Sequence, residues 1–441
     1  MTIFSEIPRD DPSRRARGDG QFAFLNRVAG TYWDQVRELI EDWFSHLCPD
    51  AQADIGGRLR STDDRHVRGA FFELYLHECL LRMGYTVTCH PVLEGTTRRP
   101  DFLAEKEGRS IYIEAHSPSE SDVSVGAAAR INTVYDSLDK LDSPNFFLWI
   151  DVVGQGPGPL RARPLRNRLE RWLRSLNPDS YTVGGRRDDL PFYHYEEQTG
   201  DNAGWIITFW AVPRPPDARG RNGARPLGIF DGSNASWGDE RDGIRGALSD
   251  KGVAYGALSK PFVVAVASTS MSLKDDTVLN ALYGTGELQI SISPDGAESY
   301  AQAREPDGYW YAGDHWDHRG VSAVLVVKRL HPAFVGRQTH TIWEHPDPHH
   351  PVDAMPLWRR CVVRPVGQME VIEPLRSQAE WFDLGTPWPV GDPGAPQRAG
   401  IHHSATPAAR PTPTPEEPVQ ERRSPDENCF SSGLFRRDDR I

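Results

Sequence analysis

The segment Val67–Met83, VRGAFFELYLHECLLRM, is apolar nearly all the way round a helix, and such a helix must be covered on most of its sides. Ser61 or Thr62 is placed to cap it, Asp63 and Asp64 suit the positive end of its dipole, and Gly84 stops it. The strand-like runs YTVTCHPVL, DFLAEKEGRSIYIEAHS, NFFLWIDVV and WIITFWAVP follow, interleaved with helical patterns in AAARINTVYDSLDKL and PLRNRLERWLRSL. A buried helix beside strands of this order predicts an α/β chain with a mixed sheet flanked by helices.

The organisation follows from composition along the 441 residues. Residues 1–20 are polar and predict a flexible start. Residues 21–212 predict a first α/β domain, opened by FLNRVAGTYWDQVRELIEDWFSHL as one amphipathic helix or two short ones, ended by Pro49. The cluster PRPPDARGRNGARPLG, residues 213–228, reads as a linker or long loop. Residues 229–390 again alternate helix and strand, as a second α/β part or an extension of the sheet. Residues 391–441 are rich in Pro and poor in large apolar side chains, the composition of a disordered tail.

A net charge of −12 argues against coating nucleic acid by bulk electrostatics, so any such site must be local. The five cysteines are widely spaced with no CxxC, and read as reduced thiols rather than a disulfide framework or zinc knuckle. No apolar run is long enough to span a bilayer and the N-terminus has no apolar leader core, so a cytoplasmic protein without a membrane partner is expected.

Chemistry concentrates in RRPDFLAEKEGRSIYIEAHS. With a repeat of two, Tyr112, Glu114 and His116 share one strand face, and Ile111, Ile113 and Ala115 share the other. Asp101 follows a proline, and a hairpin through EKEGRS would bring it beside Glu114. Two carboxylates so placed repel unless a cation lies between them, and Mg²⁺ or Mn²⁺ is the natural one. On the preceding helix, His66, Glu73 and His77 fall in one narrow sector beside Gly69.

These pieces, a helix bearing Glu73, then RPDF, then IYIEAH, resemble the PD-(D/E)xK nuclease superfamily, the restriction-endonuclease-like fold, over Val67 to about Val153. The resemblance implies a divalent-metal-dependent nuclease acting on DNA ahead of RNA. By position it implies Asp101 and Glu114 as metal ligands, Glu73 as their support, and His116 where the family has lysine. The histidine is a departure: a neutral imidazole can act as a base or ligand but lacks the fixed charge. An inactive nuclease-like module for nucleic-acid or protein binding would carry the same substitution. A salt-bridge cluster of the carboxylates with Arg98 or Arg99 is a third reading.

Elsewhere, PLRARPLRNRLERWLR sets Leu165, Leu169, Trp172, Leu173 and Leu176 on one side of a helix. Arg166, Arg168, Arg171 and Arg174 fall on the other, a stripe able to track phosphates or simply to face water. EHPDPHHPVD, with His345, His349 and His350, reads as a surface loop, VGQGPGP as a turn, and the aromatics Tyr309, Trp310 and Trp316 as sheet packing. A Ser-His pairing of His116 with Ser117, Ser119 or Ser121 lacks a nucleophile elbow and oxyanion donors.

Overall fold

The computed structural model describes residues 2–393 apart from 16–18, 118–129, 131–132, 155–159, 184–186, 198–203, 221–225, 227–239, 253, 269–272, 293–297 and 364–368. In chain order the elements begin α1 (Gln21–Arg27), α2 (Thr31–Ser45), α3 (Pro49–Leu59), α4 (Asp64–Arg82), β1 (Thr86–Cys89), β2 (Phe102–Lys106) and β3 (Arg109–His116). They continue with β4 (Phe146–Gly154), α5 (Ala162–Ser175), β5 (Phe192–Glu196), β6 (Ile206–Pro213), α6 (Glu240–Gly252), β7 (Phe262–Ser268) and α7 (Asp275–Tyr283). The last are β8 (Gly286–Ile292), β9 (Glu298–Arg304), β10 (Ala323–Lys328), β11 (Thr341–Glu344), β12 (Arg359–Val363), β13 (Met369–Ile372) and α8 (Gln378–Trp381).

The main sheet is mixed, eight-stranded and ordered β1-β2-β3-β7-β10-β11-β12-β13. Its centre is parallel, β3 with β7 and β7 with β10, and an antiparallel hairpin β2–β3 leads into it. Ile111 and Ile113 of β3, with Val263 and Ala265 of β7, face a core built with α1 to α4. Tyr112 and Val264, on the alternate positions, face a second core with Ile244 and Leu248 of α6 and Val278 and Leu282 of α7. The expected strand-face division of IYIEAHS is therefore realised, with helices on both faces of the sheet. Residues on both sides of 213–228 share this sheet, so β7 and β10 to β13 extend the sheet begun by β1 to β3. Residues 146–213 leave it and form a separate sheet, β4-β6-β5, whose inner face (Leu148, Ile207, Phe209) is covered by Leu165, Leu169 and Leu173 of α5.

Several local expectations are corrected. The cap of α4 is Asp63, which accepts from the Arg65 backbone N–H, rather than Ser61 or Thr62; Ser61 instead accepts from the Asp63 N–H. Pro49 does not only end a helix but opens α3 at its first turn, where its missing N–H costs nothing. Against the expected flexible start, Ile3 and Phe4 are buried in the first core, and their N–H groups donate to Glu41. Two apolar residues in a polar stretch are enough to anchor it. Tyr309 and Trp310 are buried in the second core, as packing residues. The tail from 394, Ser119, Ser121 and most of VGQGPGP lie outside the described residues. Among the described residues no helix is long and apolar enough to cross a membrane.

Candidate active site

The hairpin pairs Phe102 with Ile113, which sets Asp101, one residue earlier, beside Glu114 and Ala115. Asp101 Oδ2 accepts from the Ala115 backbone N–H at 2.6 Å, so the aspartate is tied to the strand that carries its partner. Burial holds the Asp101 carboxyl well above the usual carboxylate range, reinforced by the Glu114 and Glu73 carboxylates and opposed by the Ala115 N–H and Lys251. Two further carboxylates thus act on Asp101, Glu114 beside it and Glu73 from the helix on the other side of the sheet. The sequence-derived pair Asp101 and Glu114 is brought together.

Glu114 is 3 % exposed, and neither of its oxygens is left bare. Lys251 Nζ donates to Oε1 at 2.5 Å and the Tyr255 hydroxyl donates to Oε2 at 2.5 Å. Lys251 lies 137 residues downstream, in the last turn of α6, and reaches Glu114 because β7, which follows α6, pairs in parallel with β3. The Tyr255 hydroxyl also lies 3.3 Å from the Arg99 carbonyl oxygen, and its ring packs edge-on to Phe262 at 5.6 Å. Burial and hydrogen bonding to Glu114 push the Tyr255 hydroxyl strongly upward, so it remains a donor. Neither residue was found from sequence, and the only signal was a lone lysine near the end of a helix that precedes a buried strand.

This arrangement also answers the salt-bridge reading. Among the described residues the cation on Glu114 is Lys251, while Arg98 spends its guanidinium on the Ala254 carbonyl and Arg99 offers Tyr255 its backbone oxygen. His116 is half-buried on the same face as Glu114, and no described residue hydrogen-bonds its ring. Burial, then Lys251, lower its pKa from 6.5, so the imidazole is neutral near pH 7.

Glu73 is gripped by Arg58 of α3 through two oxygens, at 2.6 and 2.5 Å, and Arg58 also pairs with Asp54 at 2.6 Å. A bidentate guanidinium fixes the carboxylate in one plane. The rest of the expected helix sector disperses: His66 is exposed beside Ser61, and His77 is buried against Phe102, its pKa pushed down to about 4 by burial. Cys89 lies in the same neighbourhood, with its thiol pushed up to about 12 by burial and by the thiol of Cys48 beside it. Both thiols are free, as are Cys79 and Cys361.

Burial first, and then repulsion from Glu114 and Glu73, raise the Asp101 carboxyl, and a hard cation beside Asp101 and Glu114 would offset the repulsion; Mg²⁺ is commonly held by only one or two carboxylates with water completing its shell. Among the described residues no group of three or more His, Cys, Asp and Glu side chains is gathered to hold a metal, so the fit is that of an open two-carboxylate site. The His345 loop is no such site either: its Nε2 meets the Asp317 carbonyl at 2.8 Å and its Nδ1 accepts from the Asp347 N–H.

On α5, Leu165, Leu169 and Leu173 are buried, while Arg168, Arg171 and Arg174 are exposed and Arg166 half-buried. Arg166 donates to the Ser137 carbonyl and Arg171 to that of Asn167, and Arg174 lies 3.6 Å from Asp142 and 3.7 Å from Glu170. The stripe is present and partly satisfied by its own surroundings. No family model matches the chain, and no curated protein or solved structure is similar to it.

Proposed function

We propose that the chain is a divalent-metal-dependent nuclease of the PD-(D/E)xK type, with a restriction-endonuclease-like core, hydrolysing phosphodiester bonds in DNA. The single observation that carries the reading is the meeting of Asp101, Glu114 and Lys251: two carboxylates and a lysine at one point, with the lysine drawn from α6 where the strand itself has His116. Asp101 and Glu114 would hold Mg²⁺ or Mn²⁺. When bound, the ion supplies Lewis-acid stabilisation of the phosphate and lowers the pKa of its water.

The chain's own residues divide the remaining work. Lys251 brings a positive charge to the place where negative charge develops on phosphate, an electrostatic contribution that a neutral His116 lacks. His116, neutral and free of hydrogen bonds to described residues, takes a proton at a ring nitrogen. Tyr255 holds Glu114 in orientation and Arg58 holds Glu73. The arginine face of α5 offers phosphate contacts, the local basic patch that an acidic chain requires. A cytoplasmic setting belongs to the same reading.

A second reading is favoured by one observation: both oxygens of Glu114 are already satisfied, by Lys251 and Tyr255. A site neutralised this way suits a nuclease-like module that binds nucleic acid or protein without cutting. Cleavage separates the two. Asp101→Ala and Glu114→Ala are each expected to abolish Mg²⁺-dependent cleavage of plasmid DNA with the circular dichroism spectrum unchanged, and retained cleavage in either would sink the mechanism.

A further inference from the structure

Two of the free thiols, Cys48 and Cys89, meet although their elements lie far apart in the sequence. Cys48 stands at the corner between α2 and α3, where it is the N-cap of α3 but its side chain makes no capping hydrogen bond. Serine, threonine, aspartate or asparagine would cap such a helix, whereas a thiol leaves the side chain to turn elsewhere. Packing brings that corner over β1. His46, at the end of α2, pairs with Glu78 of α4 at 2.8 Å, and Arg58 holds the far end of α3 to Glu73 of the same helix. The ring of His77, beside Glu78, lies 6.1 Å from that of Phe102, and Phe102 is the cross-strand partner of Cys89. The Cys89 thiol is within hydrogen-bonding reach of Cys48.

The two thiols differ in access. Cys48 is exposed, and Cys89 is half-buried at the end of β1, an edge strand of the main sheet. Burial, and then Cys48, push the Cys89 thiol up to about 12, so it is a poor first target for an oxidant. Cys48 is the thiol an oxidant meets.

We propose that Cys48 and Cys89 are a reversible dithiol–disulfide site, oxidised by hydrogen peroxide, which fastens the edge strand β1 to the α2–α3 corner. The Cys48 sulfur attacks a peroxide oxygen, the O–O bond breaks, water leaves and Cys48 becomes a sulfenic acid. The Cys89 sulfur then attacks the Cys48 sulfur: the S–S bond forms, the S–O bond breaks, and hydroxide leaves with the Cys89 proton as water. Two electrons pass from the thiols to peroxide, and a dithiol reductant returns them. In a compartment that keeps thiols reduced, such a bond is transient and suited to sensing. The site does not depend on metal at Asp101, although His90, next to Cys89, donates its N–H to the Asp101 carbonyl at 2.9 Å.

The test is unreduced peptide mapping of the full chain by mass spectrometry after brief exposure to hydrogen peroxide. An intrachain Cys48–Cys89 cross-link is expected, and dithiothreitol is expected to remove it. In Cys89→Ser, Cys48 is expected to stop as a sulfenic acid that dimedone traps. In Cys48→Ser, Cys89 is expected to oxidise at least about tenfold more slowly than in the parent chain. Absence of the cross-link in the parent chain would overturn the proposal without recourse to any variant. So would a cross-link that joins only separate chains, or equal rates of Cys89 oxidation in the parent and Cys48→Ser.

Discussion

Lys251 and His116 both lie close to Glu114, and they differ in one respect: Lys251 forms an ion pair with the carboxylate, whereas burial keeps the His116 imidazole neutral. If the charge is what catalysis needs, Lys251→Met is expected to lower cleavage by about a hundredfold or more. Adding His116→Lys to that variant is then expected to restore part of the rate. Equal activity of Lys251→Met and the parent protein in a plasmid assay would remove Lys251 from the mechanism. Asp101 gives a pH dependence with a definite sign. Its carboxyl is held above the ordinary range, so at low pH it carries a proton that a metal ion must displace. Mn²⁺ affinity is therefore expected to rise as pH increases toward the raised pKa, and a flat profile from acid to neutral would contradict the placement of Asp101 at the ion.

At the scale of elements, how much the sequence reveals depends on sequence separation. The β2–β3 hairpin was legible because its turn and its alternation are local: EKEGRS closes it, and a repeat of two assigns Glu114 and the isoleucines to opposite faces. The partners of the same carboxylates were not. Lys251 and Tyr255 arrive through the parallel pairing of β3 with β7, and Arg58 arrives on α3, whose opening proline reads equally well as a stop. Pairings across such distances leave no periodic trace. The α5 amphipathicity was legible for the same reason as the hairpin, and it carries its own test. If its arginines track DNA, Arg168→Ala with Arg171→Ala is expected to flatten the salt dependence of binding by roughly 2 in logarithmic slope, about one for each phosphate no longer neutralised. An unchanged slope in filter binding would leave the stripe as a solvated face.

For the whole molecule, the eight-stranded sheet carries the site on one face and buries a set of neutral histidines in its surroundings. Burial pushes His340 down to about 3, and His77, His331 and His345 to about 4. The unfolded chain takes up protons on these rings below about pH 6.5, where the folded chain does not. Their contribution is thus complete above that pH and is lost as pH falls toward the folded values. Urea unfolding at pH 7.5 and 5.0 is expected to show the lower stability at pH 5.0, by no more than about 1.4 kcal/mol per pH unit for each ring. Greater stability at pH 5.0 would mean that these rings are not buried as neutral groups. The architecture also compensates the carboxylates Asp101, Glu114 and Glu73 from within the chain. Arg58, Lys251, Tyr255 and the Ala115 N–H each meet one of them.

The proposed divalent-metal site at Asp101 and Glu114 is tested by calorimetric titration of Mn²⁺ into the full chain beside Asp101→Ala. One site is expected in the parent protein, with binding heat lost in the variant and both proteins showing native circular dichroism. Absence of binding in the parent, or identical binding in the two, would rule out the site and leave the carboxylates as a compensated structural cluster around Lys251.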